Sequence, residues 1–284
     1  MNRGLGLLLF GCVLLTGCGA LVDRATTRFA EDLEAAVVNY DEPLIVERGL
    51  PTFLLILEAR RQANPNDADL LLSLAALTGT YAGLFVDEPE AERRLATLAL
   101  DHARQATCAM GSALCESRSL AFETFEARVA ALGRDDVAPA FALGSAWVSW
   151  IAAHSADYSA LAELPRAEAL LERVAELDPE HEQGQVWLYL AVLNSQRPPA
   201  VGGRPDRARR YFERARELSG GRNLLVDVFE ADQLARLVFD RELFVNRLRR
   251  VVDAEADQAG FVLANRIAQA RARQLLKQTD EIFF

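Results

Sequence analysis

The chain opens with a short apolar run and continues as amphipathic blocks of helix length. Residues 5–15 are almost all apolar and follow a single Arg3. This run is too short for a permanent bilayer span, which takes about 20 apolar residues. From Leu44 onward, alanine, leucine, arginine and glutamate dominate at helical spacing, and strand patterns are nearly absent. The pattern predicts an all-α protein behind an N-terminal leader.

Turn residues divide the helical part into successive blocks. Asn64-Pro65-Asn66-Asp67 stops one helix and offers a cap for the next, while Asp87 is expected to cap a helix with Pro89 in its first turn. The predicted helices cover residues 28–38, 44–63, 68–86, 88–108, 114–132, 139–154, 164–177, 183–193, 204–219, 224–239, 241–255 and 259–277. Short helices in such succession predict an array of helical hairpins.

Three blocks carry a recurring pattern of a small residue, a bulky residue four positions later and a small residue three further on. This spacing is typical of the second helix of a tetratricopeptide repeat, although the first helix is poorly matched around Trp187. We therefore predict degenerate tetratricopeptide-like repeats over residues 28–284, with an irregular helical bundle as the alternative. The matching triplets are Ala96, Leu100 and Ala103; Ala167, Leu171 and Val174; and Ala208, Phe212 and Ala215.

The leader ends in Leu15-Thr16-Gly17-Cys18, the pattern of a bacterial lipobox. This predicts a lipoprotein signal peptide over residues 1–17, a mature chain that starts with acylated Cys18 as membrane anchor, and a tether over residues 18–27. An ordinary secretory signal or a retained leader is the alternative. Gly19 stands where an aspartate favours retention in the inner membrane, so periplasmic attachment to the outer membrane is the preferred prediction.

Composition excludes some classes of function. Hydrophobic residues make up 51% of the chain and charged residues 25%, as in ordinary globular proteins. The net charge of −10 argues against a nucleic-acid partner, because polyanion binding needs a basic surface.

Cys108 and Cys115 remain as a pair in an oxidising compartment, and we predict a disulfide between them. Residues seven apart on a straight helix lie ~10.5 Å apart, whereas a disulfide requires Cα atoms within ~7 Å. The bond therefore requires a loop, for which Gly111 and Ser112 are suitable. Two buried thiols are the alternative.

We find no catalytic or metal-binding constellation in the sequence. The three histidines, His102, His154 and His181, lack the spacing of a zinc site, and His181 is interpreted as a solvated residue at a helix start. Ser145 after Gly144 lacks the context of a nucleophile elbow. The sequence thus predicts a protein that is not an enzyme and needs no cofactor.

Two side-chain clusters are candidates for binding. An arginine cluster is interleaved with acids and is interpreted as a solvated face; it comprises Arg204, Arg207, Arg209, Arg210, Arg214 and Arg216. Six aromatic residues are candidates for lining an apolar ligand cavity, with core packing as the alternative. They are Tyr81, Phe85, Trp147, Trp150, Trp187 and Tyr189.

Several segments resemble one known family. The runs from Gly202-Gly203 to Glu213 and from Leu218 to Leu224 are similar to the TRAP transporter T component, the TatT lipoproteins. The resemblance extends to residues 240–244, 263–268, 271–272, 275–276 and Phe283, and upstream to residues 49–51, 64–66, 81–82 and 85–86. It covers nearly the whole mature chain.

This resemblance implies a periplasmic, lipid-anchored, all-helical protein that works with the substrate-binding protein of a tripartite ATP-independent periplasmic transporter. It also implies a homotrimer and a passage for a hydrophobic or organic-acid ligand, without catalytic residues. Asn223 and Asn265 are interpreted as structural, one at a helix start and one as a buried amide. An envelope scaffold of helical repeats without a small ligand is the second hypothesis.

Overall fold

The structure, a computed structural model, describes residues 36–199 and 203–284. Of the residues described, 76% are helical and none lies in a strand, which confirms the all-α prediction. The signal peptide, Cys18 and the tether lie outside the described residues. The longer helices are α1 Pro43–Ala63, α2 Ala68–Phe85, α3 Pro89–Ala109, α4 Phe122–Ala130, α5 Val137–Ala153, α7 Leu164–Leu177, α8 His181–Asn194, α9 Pro205–Leu218, α11 Arg241–Asp253 and α12 Val262–Lys277.

Shorter helices among the described residues are α6 Tyr158–Leu161, α10 Leu225–Phe229 and α13 Thr279–Ile282. Segment Glu230–Ala235, which follows α10 directly, is π-helical and is called the π segment below. The helix predicted over residues 224–239 is therefore continuous from 225 to 237, but its middle is π-helical rather than α-helical. Short 3₁₀ turns at Ser117–Ser119 and Arg134–Asp136 flank α4.

Side-chain caps set several helix starts. The Asp67 carboxylate accepts a hydrogen bond from the Leu70 N–H at 3.1 Å, which confirms the predicted cap of α2. Glu88, and not Asp87 as predicted, caps α3 by accepting from the N–H groups of Glu90 and Ala91 at 3.0 and 2.6 Å. Helices α1, α3, α7 and α9 each have a proline in the first turn. The missing N–H of this proline costs no hydrogen bond, because backbone N–H groups in the first turn of a helix have no partner within it.

Neighbouring helices pack in sequence order. The most extensive contacts join α2 to α3 and α8 to α9, and α5 lies against α2, α3, α7 and α8. Beyond these, α11 and α12 form a further pair with α10 and the π segment. The residues of the predicted repeat triplets on α3, α7 and α9 are all at most 2% exposed, as the small-bulky-small pattern predicts.

Three apolar clusters form the core. The largest lies around Leu100, Phe125, Trp147 and Leu171 and joins α3, α4, α5, α7 and α8. A second, around Phe244 and Leu248, joins α10, α11 and α12. The third, around Phe212, joins α8, α9 and the π segment. Among the described helices, α2 alone has the length and composition of a membrane span, with a mean hydropathy of 1.4. This is weak evidence for a span, because α2 packs on α1, α3 and α5 as a helix of a folded core does.

Two predicted helices differ from the structure. Residues 114–132 do not form one helix: the chain turns after α3 through Gly111, with Glu116 in the left-handed region (φ 54°), before α4 begins. At the start of α8, Glu182, Gln183 and Gly184 take positive φ values of 48°, 56° and 82°. A Cβ on Gly184 would lie 2.7 Å from the Leu218 side chain, so this left-handed turn needs glycine where it meets α9.

Candidate functional site

The six aromatic candidates lie in separate groups rather than around one cavity. Tyr81 and Phe85 form a pair on α2, with ring centroids 6.0 Å apart. Trp147 is 1% exposed and packs edge-on against Phe125, and its indole N–H donates to a Glu163 carboxylate oxygen at 2.7 Å. These contacts place Trp147 in the main core.

Trp150 lies one helical turn from Trp147 and is partly exposed. The Arg118 guanidinium lies over its ring at 4.3 Å, close enough for a cation–π interaction. Arg118 also donates two hydrogen bonds from Nε and Nη2 to Glu163, at 2.7 and 2.6 Å, and so fixes the guanidinium in place. The indole also stacks with the His154 ring, with the ring centroids 4.9 Å apart.

Trp187 and Tyr189 belong to two further groups on α8. Trp187 donates its indole N–H to the Pro179 carbonyl at 2.9 Å and contacts the Tyr211 ring. Tyr189 packs against Phe141, and burial raises the pKa of its hydroxyl. His181 also contacts Phe141, with the ring centroids 4.9 Å apart, and its side chain is partly buried, which corrects its interpretation as a solvated residue.

Two surface depressions are the candidates for a ligand site. A crevice beside Trp147, between Leu114, Ser117 and Leu143, leaves no space for a water-sized molecule. An open, mostly polar groove of about 580 Å³ lies along α3 and includes Asp101, Arg104 and Glu116 beside Cys108. None of the six aromatic residues lines this groove, so their contact with a ligand stays a prediction.

Cys108 and Cys115 are joined as a disulfide in the structure, with their Cα atoms 4.5 Å apart. The bond spans the turn that ends α3. Within that turn the Gly111 and Ser112 N–H groups donate to the Cys108 and Thr107 carbonyls at 3.0 and 2.9 Å. The short Cα separation depends on this turn, as the spacing argument requires.

Three arginines of the cluster pair with acids that are buried between helices, which corrects their interpretation as part of a solvated face. The other three are exposed, as predicted: Arg209, Arg210 and Arg214. Arg204, at the residue before α9, and Arg207 on α9 form ion pairs with Glu168 and Glu172 of α7. Glu168 also accepts from the Asn194 amide at 3.0 Å. This network joins α7, α8 and α9 at the family-like segment that begins at Gly203.

Burial changes the acid–base properties of this network. Burial raises the pKa of the Glu172 carboxyl, and the facing Arg207 only partly opposes the shift. Burial also raises the pKa of the Tyr211 hydroxyl, which donates to Glu172 at 3.2 Å. Burial of the Arg207 guanidinium acts to lower its pKa, but the nearby Glu172 carboxylate outweighs this effect and the pKa of Arg207 is raised. The arrangement is a structural bridge between hairpins.

A second ion network lies between α9 and α11 and was missed in the sequence. Arg216 donates to Asp227 at 2.9 Å and also pairs with Glu230, while both acids have side chains only 2% exposed. From α11, Arg247 lies 2.8 Å from Glu230 and Arg250 lies 2.8 Å from Asp227. The only signal in the sequence is two acids three residues apart within an apolar run.

The asparagines of the family-like segment hold backbone groups, and both structural interpretations are confirmed. The Asn265 side chain is fully buried: its Oδ1 accepts from the Leu224 N–H at 3.0 Å, and its Nδ2 donates to the Arg222 and Ala256 carbonyls. Asn223 accepts from the Leu225 N–H at the start of α10. Among the described residues, no group of three or more histidine, cysteine, aspartate or glutamate side chains is placed to hold a metal ion.

Comparison with known proteins identifies a family and a relative. The model of the family described as TRAP transporter T-component matches residues 39–283, from just before α1 to the penultimate residue. An uncharacterized protein of Treponema pallidum (strain Nichols) is 25% identical over 271 residues, which cover 89% of this chain and 84% of that relative. The match confirms the resemblance and includes both ion networks and all six aromatic candidates.

Proposed function

Because the chain belongs to the TRAP transporter T-component family, we propose that it is a lipid-anchored periplasmic subunit that docks the substrate-binding protein of a tripartite ATP-independent periplasmic transporter. The observation that carries the proposal is the family match across the whole described helical body. The family is one of envelope-associated transport accessory proteins and is not known for enzymatic activity.

Docking is the proposed mechanism, and the chain's charge supports it in one respect. A protein with a net charge of −10 attracts a partner that presents a basic surface, and such attraction mainly accelerates encounter. In this proposal the hairpins are degenerate tetratricopeptide-like repeats, the assembly is a homotrimer, and acylated Cys18 holds it at the outer membrane.

The decisive experiment is a pull-down with the cognate binding protein. The acylated full-length mature chain, immobilised in detergent, should retain this protein but not the binding protein of an unrelated transporter. Retention should weaken as salt rises above physiological strength, because exposed charges are screened beyond about 8 Å. The absence of association at high protein concentration would overturn the transporter proposal.

The proposed ligand is hydrophobic or an organic acid, and the six aromatic residues are its predicted contacts. Trp150 is the best test, since its partly exposed ring lies beside the fixed Arg118 guanidinium. Native mass spectrometry should show bound organic mass that Trp150→Leu removes and that the matched change Tyr158→Leu, at an 88% exposed aromatic residue, leaves in place.

One observation favours a second candidate function, an envelope scaffold without a small ligand. The aromatic residues lie in separate groups, and the crevice beside Trp147 has no room for a ligand. For such a scaffold, organic extraction of the natively purified protein should give a clean mass spectrum, and the pull-down should recover envelope proteins other than the binding protein.

A further inference from the structure

Helix α1 has an apolar face that no other described element covers. Only Val46 and Leu50 of its 21 residues are buried. Its outward face instead exposes Leu44 at 46%, Ile45 at 56%, Leu55 at 71% and Ile56 at 60%. Exposing four large aliphatic side chains on one face of a helix is unfavourable, because full burial of each would contribute about 1.5–3 kcal/mol.

Helical geometry places these residues together. Positions 44, 48, 52, 55 and 59 follow the spacing of three and four that keeps residues on one face, and positions 45 and 56 lie at its edge. Arg48 stands in the middle of this face, and Arg60 is exposed at its border. Glu47 and Glu58 are partly buried on the inner side of the helix, where Glu58 pairs with Arg61 at 2.7 Å.

We propose that this face of α1 lies on the lipid surface that carries the anchor. The inference rests on the proposed function in one respect, the acylation of Cys18. Within the helix the outward face carries arginine and no acid, although the whole chain has a net charge of −10. The positive charge on the helix face is complementary to anionic headgroups. The exposed acids Asp41 and Glu42 precede the helix and do not lie on this face.

The position of α1 in the chain supports the same occupant. Cys18 precedes Pro43 by 25 residues, and an extended chain covers at most about 3.5 Å per residue, so α1 lies within roughly 90 Å of the anchor. Among the longer described helices, α1 is the one with the shortest connection to Cys18. An anchored chain therefore meets the bilayer at a high effective concentration, at which a weak interfacial helix is expected to bind.

The central arginine favours lipid over a protein partner. A second copy packed on this face would bury Arg48 between apolar side chains, where a charge without a partner is expensive. On a bilayer, the apolar stem of Arg48 lies along the acyl boundary while its guanidinium reaches the phosphates. The face is also a convex ridge on one helix, which a deformable lipid surface covers without a complementary groove.

Site-specific quenching tests the proposal on the acylated mature chain in vesicles of phosphatidylethanolamine and phosphatidylglycerol that contain brominated lipid. Leu55→Trp places a reporter on the α1 face, and Leu98→Trp, at a leucine of α3 that is 40% exposed, is the matched control. The fluorescence of each variant is measured relative to that of the parent chain, because Trp147, Trp150 and Trp187 also emit. Residue 55 should lose about half of its added emission and shift to the blue, since an interfacial helix inserts about 5–10 Å.

A second variant identifies the face as the cause. In an Ile45→Trp chain, adding Leu55→Glu and Ile56→Glu should abolish quenching, whereas adding Leu98→Glu should leave it unchanged. Equal quenching at residues 55 and 98 would overturn the proposal. The proposal would also be overturned if the tryptophan at residue 55 were not quenched and the double glutamate variant had a smaller particle mass than the parent. That result would identify a second copy of the chain as the occupant of the face.

Failure of the proposed function is distinguishable from failure of this inference. If mass spectrometry shows no acyl chain on Cys18, the proposed anchor is wrong. Flotation of the unacylated protein with the same vesicles then tests whether the α1 face alone binds lipid. That flotation should fall about tenfold for Leu55→Glu and remain for Leu98→Glu. The pull-down of the binding protein tests docking independently of either result.

Discussion

The imidazole Nε2 of His102 lies 2.8 Å from Oε1 of Glu58 and joins α3 to α1. The His102 side chain is 1% exposed, and its Nδ1 has no hydrogen-bond partner among the residues that the structure describes. Burial lowers the pKa of His102, while the Glu58 carboxylate acts in the opposite direction. Among the described residues of α1 only Val46 and Leu50 are buried, so this contact is important for the position of the helix.

The first prediction concerns the pH dependence of stability. The folded pKa of His102 lies below its unfolded value of about 6.5, so the neutral side chain favours the folded state. This contribution is fully present above pH 6.5 and is lost as pH falls below it. Glu58 and Arg61 of α1, and Asp101 of α3, are the charged groups that face the imidazole. The melting temperature should therefore decrease between pH 7 and pH 5.

The matched change is His102→Gln, which keeps a polar side chain at the site but does not titrate. Its melting temperature should depend less on pH over the same interval than that of the parent chain. His154→Gln, at a partly exposed histidine, is the control and should retain the parent profile. Parallel pH profiles for the parent and His102→Gln, followed by circular dichroism, would contradict the assignment.

Arg216 should be the most costly arginine of α9 to remove. Its guanidinium pairs with Asp227 and Glu230, two acids whose side chains are 2% exposed. In Arg216→Ala, Arg247 and Arg250 compensate in part, but a buried carboxylate loses its best donor. We expect a loss of about 3 kcal/mol in the free energy of unfolding, measured by urea denaturation.

Arg214 on the same helix supplies the control. It pairs with Glu217 at 3.1 Å, and both side chains are about half exposed. Because exposed pairs contribute little, Arg214→Ala should change the free energy of unfolding by at most about 0.5 kcal/mol. Similar losses in the two variants would show that burial does not determine the strength of the α9 ion pairs.

Local signals in the sequence predicted most of the helices. Asp67 follows a proline turn and caps α2, and α7 begins and ends at the predicted residues, Leu164 and Leu177. Helical spacing also identified the buried positions around Leu100, Leu171 and Phe212. These features depend on contacts within a few residues, so the amino-acid pattern is sufficient to predict them.

Long-range pairing accounts for what the sequence did not predict. The π segment places Glu230 toward Arg216 and Arg247, which are 14 residues before and 17 after it. Likewise, Arg204 binds Glu168 across 36 residues. An arginine in an amphipathic helix has the same local pattern whether its partner is solvent or a buried acid, so composition alone favoured a solvated face.

The cysteine pair gives a prediction about the turn after α3. A disulfide that closes a loop of this length is expected to contribute about 2–3 kcal/mol by restricting the unfolded chain. Cys108→Ser combined with Cys115→Ser should therefore lower the free energy of unfolding by that amount, and thiol titration of the denatured parent should detect neither cysteine. Dithiothreitol should destabilise the parent but not the double variant; two titratable thiols in the parent would show that the bond is absent.

Gly144 lets α5 approach α7 closely. A Cβ at this position would lie 2.6 Å from Cδ2 and 2.8 Å from Cγ of Leu171, whose side chain is fully buried. Gly144→Ala should therefore cost about 1–3 kcal/mol in the free energy of unfolding, despite alanine's higher helix propensity. Gly83 on α2, where an added Cβ meets nothing within 4 Å, is the control. Gly83→Ala should stabilise the protein by about 0.5–1 kcal/mol, and an equal gain for Gly144→Ala would mean that Leu171 can move away freely.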